Sequence, residues 1–105
     1  MSVTVLTKEN FIDEVMGAGV PVLIDFYADW CGPCKMLAPT VHALAESRDD
    51  IKVCKVNVDE QMELAEKYKV MTLPTVMVFK NGEMVEKAVG AKAKADFAQM
   101  LENNI

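Results

Sequence analysis

The chain has 105 residues, of which 51% are hydrophobic and 26% charged, with a formal net charge of −5. That is enough for one globular domain around a single core, and too little for two; no apolar run reaches the roughly 18 residues of a membrane span. The 16 carboxylates are scattered and Arg48 is the only arginine, which leaves no basic stripe for nucleic acid.

A short first strand is expected at about Val3 to Leu6. Phe11, Ile12, Val15 and Met16 then recur at helical spacing, with Thr7 placed to cap the helix and Gly17 and Gly19 to end it. Val20 to Ala28 is almost continuously apolar, which predicts a central strand buried on both faces, with Pro21 tolerable at its start. A helix from about Cys34 to Ser47 carries Leu37, Val41, Leu44 and Ala45 on one face, and Pro39 inside it predicts a kink. Ile51 to Val58 is rich in strand formers, and a short helix is expected around Glu60 to Tyr68.

Strands at Thr75 to Phe79 and Met84 to Val89 flank Asn81-Gly82, a type I′ hairpin signal that sets Lys80 opposite Glu83. Ala93, Phe97, Met100 and Leu101 define a last amphipathic helix. Strands separated by helices are expected to be parallel and the final hairpin antiparallel. The predicted architecture is α/β: one domain over residues 1–105, with a central mixed five-stranded sheet flanked by four helices. The eight methionines read mainly as core gap fillers, Cys54 as a small buried hydrophobe and His42 as a surface residue.

Cys31 and Cys34 flank Gly32-Pro33 just past the carboxyl end of that central strand, where open α/β sheets place their chemistry. Two intervening residues put both sulfurs within disulfide reach if a helix begins at Pro33, whose fixed φ suits a first helical position. The first cysteine then lies beside the free N–H groups and positive end of the helix, which stabilise a thiolate. The spacing predicts an exposed nucleophilic Cys31 and a more sheltered Cys34. Three cysteines are too few, and odd in number, for a stapled secreted domain. The opening Met1-Ser2-Val3-Thr4 has no basic or apolar leader character. A reducing cytoplasm is therefore expected, with the pair catalytic rather than structural. A zinc site would need two further ligands, and only Cys54 and His42 remain, so no metal is expected.

The run Asp25-Phe26-Tyr27-Ala28-Asp29-Trp30-Cys31-Gly32-Pro33-Cys34-Lys35, with Pro39 and Val56-Asn57-Val58-Asp59, resembles the thioredoxin family. Leu73-Pro74-Thr75, Phe79-Lys80-Asn81-Gly82 and Val89-Gly90 extend the likeness over essentially the whole chain. It departs from the familiar bacterial pattern at Tyr27, where tryptophan is common, and at Thr72-Leu73 before the proline.

The resemblance implies the thioredoxin fold and reduction of protein disulfides, with Cys31 attacking and Cys34 resolving through a redox disulfide. Asp25, the only carboxylate in its apolar strand, is then the base for Cys34, with its pKa raised by desolvation, and Lys55 is its matching lysine partner. It also implies a cis bond before Pro74, and an apolar docking surface of Trp30, Gly32, Pro33, Leu73, Pro74, Gly90 and Ala91. In it Leu73 offers backbone groups to an extended substrate. Electrons would reside on the sulfurs with no bound cofactor; NADPH and FAD would belong to a partner, thioredoxin reductase. The expected partners are that reductase and disulfide-containing proteins, with the chain itself a monomer. Oxidase or isomerase direction of the same chemistry, and a binding subunit with dispensable thiols, stand as alternatives.

Overall fold

The structure, a computed structural model, describes residues 3–105. Met1 and Ser2, on which part of the leader reading rests, lie outside the described residues. The elements in chain order are β1 (Thr4–Val5), a π-helical turn (Ile12–Met16), β2 (Val22–Tyr27), α1 (Gly32–Ser47) and β3 (Lys52–Asn57). They continue with α2 (Met62–Lys67), β4 (Thr75–Lys80), β5 (Glu83–Val89) and α3 (Lys94–Glu102). The strands form one mixed sheet in the order β1-β3-β2-β4-β5, with β2 at its centre.

The apolar run at Val22–Phe26 is buried on both faces because alternate residues enter different cores. Val22, Ile24 and Phe26 meet Leu6, Phe11, Val15, Met77 and Phe79 on one face. Leu23 joins Leu37, Val41, Leu44, Val76, Phe97 and Leu101 on the other, beneath α1 and α3. By the same alternation Asp25 shares the α1 face with Leu23. α1 is assigned unbroken from Gly32 to Ser47, through Pro39.

One direction differs from expectation. β1 and β2 are each parallel to β3, but β4 runs antiparallel to β2, with Thr75 opposite Phe26 and Phe79 opposite Val22. The reason is length. The six residues of α2 rise about 9 Å, whereas a return along a six-residue strand needs about 20 Å. The chain therefore stays at the carboxyl end of β3, and β4 starts from that end, which brings residues 73–75 to the end of the sheet where the cysteines lie.

Phe11, Ile12, Val15 and Met16 do form a helical turn, but with π hydrogen bonding: Gly17 N donates to Ile12 O at 3.2 Å. Thr7 Oγ1 accepts from Asn10 N at 3.2 Å and Asn10 Oδ1 accepts in return from Thr7 N, so the cap expected of Thr7 closes the turn ahead of the helix, whose own N-cap, Phe11, makes no side-chain cap bond. A Cβ at position 17 would lie 2.8 Å from the carbonyl oxygen of Asp13, so glycine is required there by close approach. The Asn81-Gly82 turn has φ values of 53° and 81°, the type I′ signature, with Lys80 paired opposite Glu83. The pairing then jumps from Phe79–Met84 to Val78–Glu86, which leaves Val85 as a bulge that no residue pattern announces.

The methionine reading is corrected. Among the described residues only Met77 is buried, while Met36, Met62, Met71 and Met84 are exposed. An unbranched thioether is tolerated in water as readily as in a gap, so its abundance alone does not locate it. No helix among the described residues is long and apolar enough to cross a membrane.

Candidate active site

Cys31 is the N-cap of α1, with extended backbone (φ −89°, ψ 111°), and Pro33 occupies the first turn of the helix. Cys31 Sγ accepts from Cys34 N at 3.2 Å, so a free N–H of the helix's first turn points at the sulfur. Cys31 and Cys34 are joined as a disulfide with their Cα atoms 5.2 Å apart. In this form Cys31 is 5% exposed and Cys34 3%, so the expected contrast in exposure is absent. The disulfide lies at the helix start, where the pair packs with Ala28, Tyr27, Val58 and Leu73. The surface around it consists of exposed Trp30, Gly32 and Pro33.

Asp25 is 4% exposed, and its Oδ1 has no hydrogen-bond partner. Burial pushes its carboxyl from 3.8 up to about 7; Lys55, opposite it in the β2–β3 register, acts in the contrary and smaller sense. Among the described residues no hydrogen bond or ion pair joins the two. The Lys55 ammonium lies 5.8 Å from the centre of the Tyr27 ring. A cleft of about 330 Å³ is lined by Asp25, Cys34, Lys35, Ala38 and Lys55 among others. It joins the buried carboxyl, the second cysteine and solvent in one space.

The expected docking residues converge from three segments. The Leu73–Pro74 bond is cis, Pro74 is buried, and Gly90 N donates to Pro74 O at 2.8 Å, which fixes Gly90 and exposed Ala91 beside that loop. Leu73 packs against the cysteine pair, and among the described residues its backbone N–H and C=O make no hydrogen bond. Trp30 is 71% exposed and its Nε1 donates to Asp59 Oδ2 at 2.9 Å.

Asp59 is the site residue to which the sequence alone assigned no role. Buried Asn57 places it: Asn57 Oδ1 accepts from Asp59 N at 3.0 Å and from Glu60 N at 3.4 Å, an Asx-type turn at the strand end. Asn57 and Asp59, two residues apart after a strand, were the available signal. Cys54 is fully buried, the small core residue expected, and burial pushes its thiol up to about 12. His42 is exposed, 3.5 Å from Glu46, as expected of a surface residue. No cluster of metal-ligating residues occurs among the described residues.

Comparison with known proteins agrees with this geometry. The family model described as Thioredoxin matches residues 2–103. Thioredoxin 1 of Nostoc sp. is 45% identical over 101 residues, covering 95% of this chain and 94% of that protein. The thioredoxin of Pseudomonas aeruginosa is 43% identical with the same coverage. A solved mutant thioredoxin from Halobacterium salinarum superposes with a TM-score of 0.89 at 40% identity, covering 97% of this chain and 89% of that one. A helix-capping cysteine pair at bonding distance, within a fold shared along nearly the whole length of such relatives, makes this chain a member of the thioredoxin family and a dithiol–disulfide exchange reductase.

Proposed function

We propose that the reduced protein opens protein disulfides with Cys31 as nucleophile and Cys34 as resolving thiol. The Cys31 thiolate attacks one sulfur of the target, forming a mixed disulfide and releasing the other target sulfur as a thiolate that takes up a proton. Cys34 then loses its proton and attacks Cys31 Sγ; the first target sulfur leaves, and the Cys31–Cys34 disulfide remains. Two electrons pass to the target, and the oxidised pair is the state seen here.

The observation that carries this reading is the shared cleft of Asp25 and Cys34 behind a helix-capping Cys31. A carboxyl held near 7 is half ionised at neutral pH, the condition under which it can accept the Cys34 proton. Lys55 limits the rise and lies opposite the acid without bonding to it, which keeps one oxygen free for proton transfer. Leu73 offers unpaired backbone groups to an extended substrate segment. Trp30, Gly32, Pro33, Pro74, Gly90 and Ala91 complete the platform.

The direction follows from what flanks the nucleophile. Gly32 and Pro33 offer Cys31 no side-chain donor or cation, so the dithiol gains less stabilisation than with a histidine there, and a reductant is favoured over an oxidant. The protein is then a single-domain, monomeric electron carrier of the cytoplasm, without a bound cofactor. A thioredoxin reductase would regenerate it and supply the chemistry of NADPH and FAD.

Reduction of insulin by dithiothreitol tests this: the wild-type protein is expected to accelerate precipitation of the freed chain, and Cys31→Ser to abolish the acceleration. Equal rates with and without Cys31 would remove the function. Equilibration against glutathione checks the direction; a pair that stays reduced where glutathione is oxidised would make it an oxidant.

A further inference from the structure

We propose that Tyr27 is a positioning residue for the exchange reaction: its ring holds the Lys55 ammonium to one side of Asp25 and so keeps that carboxyl free to exchange a proton with Cys34. This rests on the reading of Asp25 as the base for Cys34 and deepens it. The sheet places the three groups together. Asp25 and Tyr27 are two positions apart on β2 and share a face; opposite them on parallel β3 stand Lys55 and Asn57. Lys55 is therefore the direct neighbour of Asp25 and a diagonal neighbour of Tyr27, and all three line the cleft that Cys34 enters.

The stem of a lysine is long enough to reach an acid directly opposite. Yet the Lys55 ammonium lies 5.8 Å from the centre of the Tyr27 ring, and Asp25 Oδ1 has no hydrogen-bond partner. The physical reason is competition for the cation. The quadrupole of an aromatic face attracts an ammonium, and half-buried Lys55 keeps part of its water there. Bonding to Asp25, which is 4% exposed, would strip that water away. Burial, with Asp29 and Glu60 nearby, pushes the Tyr27 phenol above its ordinary range, so the ring meets the cation as a neutral face.

The consequence falls on Asp25. With the ammonium at the ring, Lys55 acts on the carboxyl from a distance; released, it would close on the acid and hold it ionised in a pair. A carboxylate locked in that way is a poorer acceptor for the Cys34 proton. The other groups around Asp25 come from three elements. From β4 its opposite number is apolar Val76. The cleft and the one adjoining it bring Cys34 and exposed Lys35 and His42 from α1, and Asp29 from the residues after β2. Of the charged groups among the described residues, Lys55 alone stands opposite Asp25 in the sheet, so what holds Lys55 tunes the acid.

The test titrates the isotope-labelled carboxyl carbon of Asp25 by NMR in the oxidised protein. Tyr27→Leu is expected to lower the midpoint by about half a unit to one unit, because the freed ammonium closes on the acid. Tyr27→Phe, which keeps the ring face, should leave the midpoint at the wild-type value, and Tyr27→Trp, with a stronger face, should not lower it. Lys55→Met controls for altered hydration of the cleft. Its midpoint should lie above the wild type, since Lys55 acts to lower it, and adding Tyr27→Leu should move it no further. A Tyr27→Leu midpoint at or above the wild-type value, or the same fall in the Lys55→Met background, would overturn the role of the ring. Stopped-flow release of the mixed disulfide across pH separates the two claims. If release follows the Asp25 titration while Tyr27→Leu leaves that titration unmoved, only the Tyr27 inference fails. If Tyr27→Leu moves the titration and release does not follow, the reading of Asp25 as the base falls and this proposal with it.

Discussion

Replacing Cys34 with serine is expected to turn the catalyst into a trap. The Cys31 thiolate still attacks a target disulfide, but a hydroxyl at position 34 cannot displace the target sulfur, so the mixed disulfide persists. Turnover with insulin should fall by roughly 10³-fold or more, the scale on which loss of a covalent participant acts. Mass spectrometry under non-reducing conditions should show one target per protein, attached at Cys31. Cys31→Ser should lose turnover to the same degree and give no adduct, because Cys34 lies within α1 and lines the inner cleft, away from the capping position at the helix start that stabilises a thiolate. Adducts formed through Cys34 in that variant would reverse the two roles.

Asp25→Asn is expected to separate catalysis from stability. Without the carboxyl, the release step should slow by about 10²-fold at neutral pH, the lower end of a general base's contribution. The first attack, made by Cys31 at the helix start, should change little. Stopped-flow traces that show both steps slowed equally would deny Asp25 this role.

The same substitution should raise stability at alkaline pH. The folded protein holds the Asp25 proton up to about pH 7, whereas the unfolded chain releases it near 3.8. Folding therefore takes up a proton between those values, and stability falls as pH rises through that window. The full loss above it is on the order of 4 kcal/mol, from a shift of about three units at 1.36 kcal/mol each. Urea unfolding of the oxidised proteins at about pH 5 and pH 8 checks the sign: Asp25→Asn should cancel much of the wild-type decline. A wild-type protein that is more stable at the higher pH, by an amount that vanishes in the variant, would contradict the raised pKa.

Features set by residues close in the chain are legible in the amino-acid order itself. The cysteine pair with Pro33, the Asn81-Gly82 turn and the unbroken apolar run around Asp25 each specify their geometry within a few residues, and each takes that geometry in the fold. What failed depended on distance through space. The direction of β4 follows from α2 being too short to recross the sheet, a property of the connection and not of Thr75–Lys80 itself. The π form of the turn at Ile12–Met16 could not be told from an α-helix, because four apolar residues over one turn satisfy either period. The bond from Trp30 to Asp59 spans 29 positions, and no local pattern announces it. The low exposure of Cys31 was not legible either, because a place at the helix head says nothing of how the closed disulfide packs against Leu73 and Val58.

The central claim is that Cys31 is the acidic, attacking sulfur. Its most direct measurement is alkylation of the reduced protein by iodoacetamide across pH, with modification at each cysteine read by mass spectrometry. Cys31 should react first, with a midpoint below the roughly 8.5 of a free thiol, while Cys34 lags and Cys54 stays unmodified in the folded protein. If Cys31 and Cys34 instead reacted at equal rates with the midpoint of an ordinary thiol, the account of the site would be contradicted.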